Sequence, residues 1–338
     1  MVKIFAMLDV EFLVGENTST IEVETETSLL DQALSQGQVI SYSCRRGDCR
    51  QCVATLDAGD VGPVDAAKPY LQGNEIYLCN AIARSDLRIR LPYSPETEHV
   101  KVLRSPCKIH ELRKLSPDVM EVVLRLPGGT DFLYVPGQYI RLTNKERITR
   151  SYSLADAPSI DRLLRIHVQC VDEGGFSQYV FMRAKLGDLL HLEGPLGRFV
   201  LRENETASQT IFLATGTGIA PVYAALSGMT SRQREKCGEL FLYWGNRFRS
   251  NAYIHDELVE LTQRLGARYF LVFSRESSDG SANSMSYVQD MMIKHHLNLR
   301  QAQVFAAGNI AMIDSSKELS LSLGLRSERF FSDPFTAS

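Results

Sequence analysis

The order of hydrophobic and polar positions changes twice along the chain and separates three regions. Residues 1–98 open with runs in which apolar and polar side chains alternate, as at 20–25, and this alternation predicts half-buried β-strands. Positions 92–99 contain two prolines, polar neighbours and no periodicity, which predicts a linker. A chain of 338 residues suits two or three domains of about 100–150 residues each.

The second region, residues 99–204, consists of short strand-like runs separated by turn signals such as Pro127-Gly128-Gly129 and Pro136-Gly137. Short strands at that spacing predict an antiparallel β-barrel. The predicted strands of this region lie at 119–126, 138–142, 150–154 and 164–169.

The third region, residues 205–338, alternates buried-strand runs with longer helical stretches. One helix is predicted where Ile254, Leu258, Leu261 and Leu265 recur on a single face. Strand–helix alternation predicts a parallel α/β sheet. The predicted strands of this region lie at 211–214, 240–244, 269–274 and 304–307.

Composition and charge exclude several classes of protein. The 44% hydrophobic and 23% charged content is that of a soluble globular protein, and a formal charge of −3 carries no signature of nucleic-acid binding. No apolar run reaches the roughly 18 residues of a membrane helix. Charged Lys3 and Asp9 interrupt the first residues too early for a signal peptide. We therefore expect a cytoplasmic protein with no nucleic-acid and no membrane partner.

Four of the seven cysteines lie in the first region, with the spacing Cys44-x4-Cys49-x2-Cys52 and a fourth thiol at Cys79. A [2Fe–2S] cluster needs four thiolates, and plant-type clusters take three of them from one short loop with this spacing. Gly47 permits a tightly wound loop. The alternatives are free buried thiols or a zinc site, but zinc usually takes paired C-x2-C units and only Cys49 and Cys52 fit one. These four cysteines are therefore the predicted cluster ligands.

Residues 1–98 resemble a plant-type ferredoxin domain, and YSCRRGDCRQC at 42–52 matches its cluster loop. One departure is Arg50, where that family usually has a small residue, often Gly. Arg50 adds a third charge beside Arg45 and Arg46 in a region with 8 Lys/Arg and 15 Asp/Glu. These arginines form either a solvated loop face or a basic rim that steers an acidic partner to the cluster.

The segment RSYS at 150–153 falls on a predicted strand and offers chemistry suited to a flavin dinucleotide. A cation can neutralise a pyrophosphate, an aromatic ring can cover an isoalloxazine, and a hydroxyl can hydrogen-bond ring nitrogens. GGFS at 174–177 precedes a helical stretch whose first backbone amides can bind phosphate, and GPLG at 194–197 forms a tight turn.

Together these segments resemble the ferredoxin-NADP reductase superfamily, which implies that Arg150 binds FAD pyrophosphate, Tyr152 stacks on the flavin and Ser153 lies near its reactive N5. FAD is expected, with FMN as an alternative because some relatives use it. His167 is either a plain strand residue or an adenine or ribose contact. Tyr152 and Ser153 are the implied catalytic residues, and the implied flavin-binding residues are Arg150, Ser151, Tyr152, Ser153, Ile166, His167, Val168, Gly175, Phe176 and Ser177.

LATGTGIAP at 213–221 combines a strand, a glycine turn and a helix start, where backbone donors and the helix dipole favour phosphate. It matches the nicotinamide-side motif of the superfamily, as do LYWGNR at 242–247 and VFAAGN at 304–309, both at predicted strand ends. Ala307 stands where relatives usually carry Cys, which puts the efficiency of hydride transfer in doubt. The implied nicotinamide-binding residues are Gly216, Thr217, Gly218, Arg247 and Gly308.

Two further expectations concern the choice and access of the nicotinamide. Ser274 and Arg275 match the residues that bind the 2′-phosphate in NADPH-dependent relatives, whereas Glu276 and Asp279 could neutralise the arginine, and many relatives use NADH. We expect NADPH use with NADH also accepted. The tail resembles that of relatives in which a last aromatic covers the flavin, and Phe335 is the candidate, or an ordinary packed terminal ring.

These features predict an electron-transfer flavoprotein. A hydride carries two electrons and a [2Fe–2S] cluster accepts one at a time, so a flavin belongs between them. The resemblance implies a β-grasp ferredoxin domain at 1–98, an FAD-binding antiparallel β-barrel at 99–204 and an α/β NAD(P)H domain at 205–338, a multidomain α+β and α/β protein. Its electron-accepting partner is expected to be the CDP-4-keto-6-deoxyglucose-3-dehydrase of dideoxysugar synthesis or, alternatively, an aromatic oxygenase. A standalone binding protein is the contrasting class.

Overall fold

The computed structural model describes residues 7–172, 174–202, 206–276 and 286–335. The chain divides into two compact units, Met1–Glu98 and His99–Ser338. The first unit ends where the first predicted domain ends, and the second contains both the predicted barrel and the predicted parallel sheet. The limits of the three domains stay predictions.

The first unit is a small sheet crossed by one helix. Its elements are β1 (Met7–Val14), β2 (Asn17–Glu24), α1 (Leu29–Ser35), β3 (Val53–Ala58), β4 (Val61–Pro63), β5 (Leu71–Gln72), β6 (Glu75–Tyr77), β7 (Ala81–Ala83) and β8 (Leu87–Arg90). Six strands form one sheet in the order β2-β1-β8-β3-β6-β5, with β1 parallel to β8. The alternation seen in the sequence places Ile21 and Val23 in the core and their neighbours outside. This arrangement confirms the predicted β-grasp fold.

The second unit begins with a six-stranded antiparallel sheet. Its elements are β9 (Leu103–Ser116), β10 (Val119–Arg125), β11 (Tyr139–Thr143), β12 (Thr149–Ser153), β13 (Leu164–Gln169), α2 (Gly175–Met182) and β14 (Leu189–Leu196). The strand order is β12-β11-β14-β9-β10-β13. A bridge between Leu154 and Ile166 joins the chain after β12 to β13, so the two edge strands meet and the sheet closes as the predicted barrel.

The remainder of this unit is a five-stranded parallel sheet with helices on both faces. Its elements are β15 (Gln209–Thr215), α3 (Ile219–Ser227), α4 (Ser231–Lys236), β16 (Glu239–Asn246), α5 (His255–Leu265), β17 (Arg268–Phe273), α6 (Val288–His295), β18 (Ala302–Asn309), α7 (Ile310–Ser322) and β19 (Phe330–Phe335). The strand order is β17-β16-β15-β18-β19. Two apolar clusters cover this sheet, which is why its strands are apolar runs instead of alternating ones.

The carboxyl-terminal tail is part of that sheet. β19 pairs with β18 in parallel register, from Val304 opposite Phe330 to Asn309 opposite Phe335. Phe331 stacks on Phe305 with ring centroids 4.7 Å apart. The backbone of Phe335 is therefore fixed at the sheet edge, and a covering role for its ring stays a prediction.

The helices of both units are short. The longest helix among the described residues, α7, has 13 residues, whereas a bilayer-spanning helix needs about 20. Within the described ranges, no helix is long and apolar enough to cross a membrane.

Candidate functional site

Three of the predicted cluster ligands lie in the loop between α1 and β3, Cys79 lies between β6 and β7, and the four form two thiol pairs. In the first pair, the backbone N–H groups of Arg46 and Cys49 both donate to Cys44 Sγ, each over 3.3 Å. A hydrogen bond from the Cys49 thiol lowers the pKa of Cys44 to about 5. In the second pair, a hydrogen bond from Cys52 lowers the pKa of Cys79, while the pKa of Cys52 is raised by the same bond and by burial. Each pair therefore joins one thiol to one group that favours the thiolate.

This pairing fits a two-iron cluster better than a single metal ion. A [2Fe–2S] cluster takes two thiolates on each iron, so four ligands arranged two and two match its symmetry. In the described part of the chain, no group of three or more His, Cys, Asp or Glu side chains converges as a single ion such as zinc requires. All four cysteines are free of disulfides. The donor set therefore suits the cluster that the spacing predicts.

The cluster loop turns through left-handed backbone at three positions. Gly47 has a φ of 84°, and a Cβ there would lie 2.9 Å from the carbonyl oxygen of Pro69. Arg45 and Arg50 have φ values of 56° and 54°. A non-glycine residue in this region costs about 1–2 kcal/mol, which is a physical reason for the small residue that the family resemblance implies at the position of Arg50.

The three arginines of this loop differ in their surroundings. Arg45 makes an ion pair with Asp31 at 2.5 Å and lies over the Tyr42 ring at 4.7 Å from its centroid. Arg46 lies 3.3 Å from Asp48. Arg45 and Arg46 are thus both exposed and both paired with a carboxylate of the domain, and the docking rim of Arg45, Arg46 and Arg50 stays a prediction.

The predicted flavin-binding strand is β12, where Arg150, Ser151 and Tyr152 are half-buried. The Arg150 guanidinium donates to the carbonyl oxygen of Thr149 over 2.7 Å. Tyr152 packs on the buried Phe176 ring, with centroids 5.4 Å apart, and burial raises the pKa of its hydroxyl. Phe176 therefore supports the Tyr152 ring from α2, and both of their predicted cofactor contacts stay predictions.

Ser153 has a partner that the sequence analysis missed. Its hydroxyl donates to Asp333 Oδ2 over 2.5 Å, and both residues are buried. Asp333 comes from β19 and is the only carboxylate in the apolar stretch 330–335. That isolated acid was the available signal, because a carboxylate is almost never buried without a partner.

At the start of α2, the Ser177 side chain forms hydrogen bonds to the backbone of the preceding loop. Ser177 Oγ accepts from the backbone N–H of Val171 at 3.1 Å and donates to the Gly174 carbonyl at 3.0 Å. A Cβ on Gly174 would lie 2.5 Å from that hydroxyl, and one on Gly175 would lie 3.0 Å from Ile148. The predicted phosphate contact therefore rests on the backbone amides at the helix start.

The neighbouring strand β13 separates its predicted cofactor residues by direction. Ile166 and Val168 point into the barrel core and are fully buried. His167 points the other way, and its Nδ1 lies 3.0 Å from the hydroxyl of Tyr253. Burial lowers the pKa of His167 to about 3, so the imidazole is neutral at physiological pH.

The nucleotide turn after β15 is a short 3-10 helix. Glycine is favoured in this turn and at Gly308 of the neighbouring β18 for different physical reasons. A Cβ on Gly218 would lie 2.2 Å from the carbonyl oxygen of Ala307, and one on Gly308 would lie 2.3 Å from Thr215 Oγ1. Both are required because β15 and β18 approach closely. Gly216, with a φ of 53°, meets no atom nearer than 3.6 Å, so its open side is available to a ligand. The intervening Thr217 is buried.

Hydrogen bonds join the loops after β16 and β17. The backbone N–H of Ser274 donates to Asn246 O at 3.0 Å, and that of Arg275 donates to Arg247 O at 3.1 Å. These bonds place the two arginines side by side at the carboxyl edge of the sheet, where α/β ligands bind. Both are exposed, and no acidic side chain of the described residues pairs with either.

Of the two acidic residues expected to neutralise Arg275, the structure describes Glu276. Glu276 Oε2 accepts from the backbone N–H of Arg249 at 2.6 Å. Asp279 lies outside the described residues. The Glu276 carboxylate is therefore occupied by the loop backbone.

Arg198, which directly follows GPLG, is a second residue that the sequence analysis missed. Burial and the neighbouring Arg202 guanidinium lower the pKa of Arg198 to about 10. No carboxylate of the described residues pairs with it. A partly buried cation without a counter-charge is costly, which makes an anionic ligand the natural partner. The GPLG segment, of which residues 194–196 lie in β14 and not in the predicted tight turn, was the signal beside which this cation could have been noticed.

Three family models match the chain in the predicted order. Residues 12–84 match the 2Fe-2S iron-sulfur cluster binding domain, residues 106–201 the oxidoreductase FAD-binding domain, and residues 212–318 the oxidoreductase NAD-binding domain. These matches confirm the predicted cofactors, which are FAD, a [2Fe–2S] cluster and a nicotinamide dinucleotide.

Similar proteins match over nearly the full length. The CDP-6-deoxy-L-threo-D-glycero-4-hexulose-3-dehydrase reductase of Yersinia pestis is 31% identical over 316 residues, covering 92% of this chain and 94% of that protein. Reductase component 2 of terephthalate 1,2-dioxygenase from Comamonas sp. is 30% identical over 312 residues, covering 91% and 92%.

Among solved structures, the cytochrome P450 reductase of Amycolatopsis superposes with a TM-score of 0.76 at 22% identity, covering 97% of this chain and 99% of that one. This likeness shows the fold. The family models and the full-length relatives show more, and the chain belongs to the family of reductases that join a 2Fe-2S ferredoxin domain to FAD-binding and NAD-binding oxidoreductase domains.

Proposed function

We propose that this reductase draws electrons from NAD(P)H and delivers them to the dehydrase of 3,6-dideoxysugar synthesis that acts on a CDP-4-keto-6-deoxyhexose. The observation that carries the proposal is the full-length match to a reductase named for that dehydrase. The three cofactor sites on one chain supply the means. An aromatic oxygenase is the second candidate acceptor, because an oxygenase reductase matches almost as well, at 30% identity.

FAD, when bound, accepts a hydride and releases electrons singly, and the cluster carries one electron at a time. Arg150 supplies the positive charge that holds the pyrophosphate. Tyr152, supported by Phe176 at 5.4 Å, offers an aromatic face to the flavin ring. The backbone amides at the start of α2 add donors for phosphate.

Ser153 Oγ and Asp333 Oδ2 share one proton beside the position that the family resemblance gives to the flavin N5. Their hydrogen bond of 2.5 Å lets the carboxylate hold the hydroxyl in one orientation and exchange a proton with Ser153 Oγ. Ala307 offers no thiol at the end of β18. The Ser153–Asp333 pair therefore holds its proton at the hydride site without the cysteine that relatives usually carry there.

Cations at two places bind the nicotinamide dinucleotide. Arg247 and Arg275, joined through a backbone hydrogen bond of 3.1 Å, suit the 2′-phosphate of NADPH, and Ser274 precedes Arg275 on the same loop. The occupied carboxylate of Glu276 supports this preference. Arg198 is suited to the pyrophosphate of the nicotinamide dinucleotide, because its charge has no carboxylate partner in the described residues.

The proposed setting is the cytoplasm. All seven cysteines are free, and four of them must stay reduced until iron is bound. A reducing compartment preserves such thiols, whereas an oxidising one promotes disulfides between neighbours.

The test is reconstitution with each candidate acceptor. Purified holoprotein is mixed with NADPH and with either the dehydrase or an oxygenase component, and electron delivery is followed by stopped-flow absorbance. Turnover with the dehydrase at a rate at least tenfold above that with the oxygenase is expected. The reverse ratio would favour the oxygenase, and absence of flavin and cluster absorption would remove the proposal altogether.

A further inference from the structure

A line of three aromatic side chains links the flavin barrel to the nucleotide turn. His167 lies on β13 of the barrel, and its Nδ1 is 3.0 Å from the hydroxyl of Tyr253. The Tyr253 ring meets Trp244 edge to face, with centroids 5.6 Å apart and planes at 86°. The Trp244 Nε1–H donates to the carbonyl oxygen of Gly216 over 2.9 Å. The line thus begins on the flavin side and ends on the glycine with the open side.

Each member of this line is held in place. Trp244 is fully buried in the parallel sheet, and Tyr253 packs against the same core cluster. The His167 ring also meets Tyr253 edge to face at 82°. Aromatic side chains have few rotamers and bury large areas, so a displacement of one ring in the line displaces the next ring.

Position matters here because hydride transfer needs the reacting atoms about 3–3.5 Å apart, and a misplacement of about 1 Å can cost 100-fold in rate. The flavin is bound by the barrel and the nicotinamide by the parallel sheet. Contacts that fix one against the other therefore act on the rate of transfer more than on the affinity for either cofactor.

We propose that Tyr253 is a positioning residue that sets the approach of the nucleotide turn to the flavin-binding strand, acting through His167 on one side and through Trp244 on Gly216 on the other. The inference rests on the proposed NAD(P)H–FAD function. It assigns Tyr253 no contact with either cofactor.

The test uses full-length holoprotein with Tyr253→Phe, which removes one hydroxyl and keeps the ring. Tyr269→Phe is the matched control, because the Tyr269 hydroxyl also contacts a histidine nitrogen (His255 Nδ1, 3.2 Å) but lies within the parallel sheet region. Stopped flow gives the limiting rate of FAD reduction by NADPH. Because Trp244 is the only tryptophan, its fluorescence reports NADP⁺ binding and the state of the contact without turnover.

Tyr253→Phe should lower the limiting rate about 10-fold, leave the Kd for NADP⁺ and the FAD content within twofold, and shift the Trp244 emission. Tyr269→Phe should leave all four quantities unchanged within twofold. In a double-mutant cycle, His167→Ala should slow the unaltered protein but add less than twofold in the Tyr253→Phe background.

A limiting rate in Tyr253→Phe within twofold of that of the unaltered protein would overturn the positioning role. So would an equal loss of rate in Tyr269→Phe, or fully additive effects of Tyr253→Phe and His167→Ala on the rate. Failure of the proposed function looks different. The unaltered protein would then keep no FAD or would not oxidise NADPH, whatever residue stands at position 253.

Discussion

The predicted cluster loop and the predicted hydride site of this reductase are assembled in opposite ways. Three predicted cluster ligands lie between positions 44 and 52, so the local course of one loop brings them together. At the predicted hydride site, Ser153 meets Asp333 across 180 positions, and His167 meets Tyr253 across 86. The first site depends on local backbone geometry and the second on tertiary packing. Substitutions should therefore break the two sites independently.

The largest effect is expected at the cluster. Cys49→Ala removes one of four thiolates, so the [2Fe–2S] absorption and paramagnetic signals should be lost, together with single-electron delivery to cytochrome c. FAD reduction by NADPH should persist, because its residues all lie in the second unit. Cys107→Ala, at a buried cysteine outside the loop, is the control and should keep the full cluster spectrum. A Cys49→Ala protein with an intact cluster would refute the ligand assignment.

The next effect concerns FAD retention. A charge-assisted contact to pyrophosphate is worth roughly 1.5–3 kcal/mol, so Arg150→Ala should weaken FAD affinity by about 10–150-fold. The measurement is flavin release during equilibrium dialysis. Arg147→Ala, a nearby arginine outside the motif, is the control. Unchanged FAD affinity in Arg150→Ala would mean that the pyrophosphate is held elsewhere, and the cluster spectrum should be normal in both variants.

The serine–aspartate pair should affect rate and not cofactor content. Asp333→Asn keeps an acceptor for the Ser153 hydroxyl but removes the charge, and it should slow FAD reduction by about 10–100-fold with FAD content unchanged. Because both residues act through one atom, Ser153→Ala should add little to Asp333→Asn in a double variant. Stopped-flow reduction at saturating NADPH measures both. Additive losses would separate the two residues into independent roles.

The nicotinamide preference gives a smaller effect. Arg275→Ala should raise the KM for NADPH about 10-fold or more, because a charge-assisted contact to the 2′-phosphate is lost, with little change for NADH. Steady-state kinetics with the two cofactors measures the split. Arg249→Ala is the control, since its guanidinium lies over the Phe273 ring at 5.2 Å. Equal changes for NADPH and NADH in Arg275→Ala would end the 2′-phosphate assignment.

The smallest effect belongs to the backbone of the cluster loop. Arg50→Gly relieves a left-handed φ of 54° and should stabilise the first unit by about 0.5–1 kcal/mol after the entropy of glycine in the unfolded chain is counted. The urea midpoint of cluster bleaching measures this gain. Arg45→Gly relieves a similar φ of 56° but loses the Asp31 ion pair and the Tyr42 contact, so it should bring no gain.

The same substitution tests docking. If Arg46 and Arg50 steer an acidic partner, Arg50→Gly should slow electron delivery to the natural acceptor and flatten its dependence on ionic strength. FAD reduction by NADPH should not change. An unaltered salt profile would leave Arg50 as a solvated loop residue.

Much of the fold was predictable because the local pattern of apolar, polar and turn residues determines it. The eight strands predicted for the barrel and the parallel sheet lie within two residues of their predicted limits, since burial on both faces demands apolar runs and turns demand glycine and proline. The strands β9, β14 and β19 were not predicted. The ends of strands could not be placed better, because they depend on hydrogen bonds with neighbouring strands. The glycines Gly218 and Gly308 were predicted for a ligand, yet the contact of β15 with β18 alone requires them.

By itself the sequence determined the order of the three cofactor regions and the class of reductase, and it predicts the cluster ligands, because each is encoded in a short segment whose residue types and spacing carry the chemistry. Only the tertiary structure decided that Asp333 accepts from Ser153, that Arg198 lies without a carboxylate partner among the described residues, and that Tyr253 connects His167 to Trp244. Such pairs join distant segments, and no local periodicity records which side chains will meet when the barrel and the parallel sheet pack together.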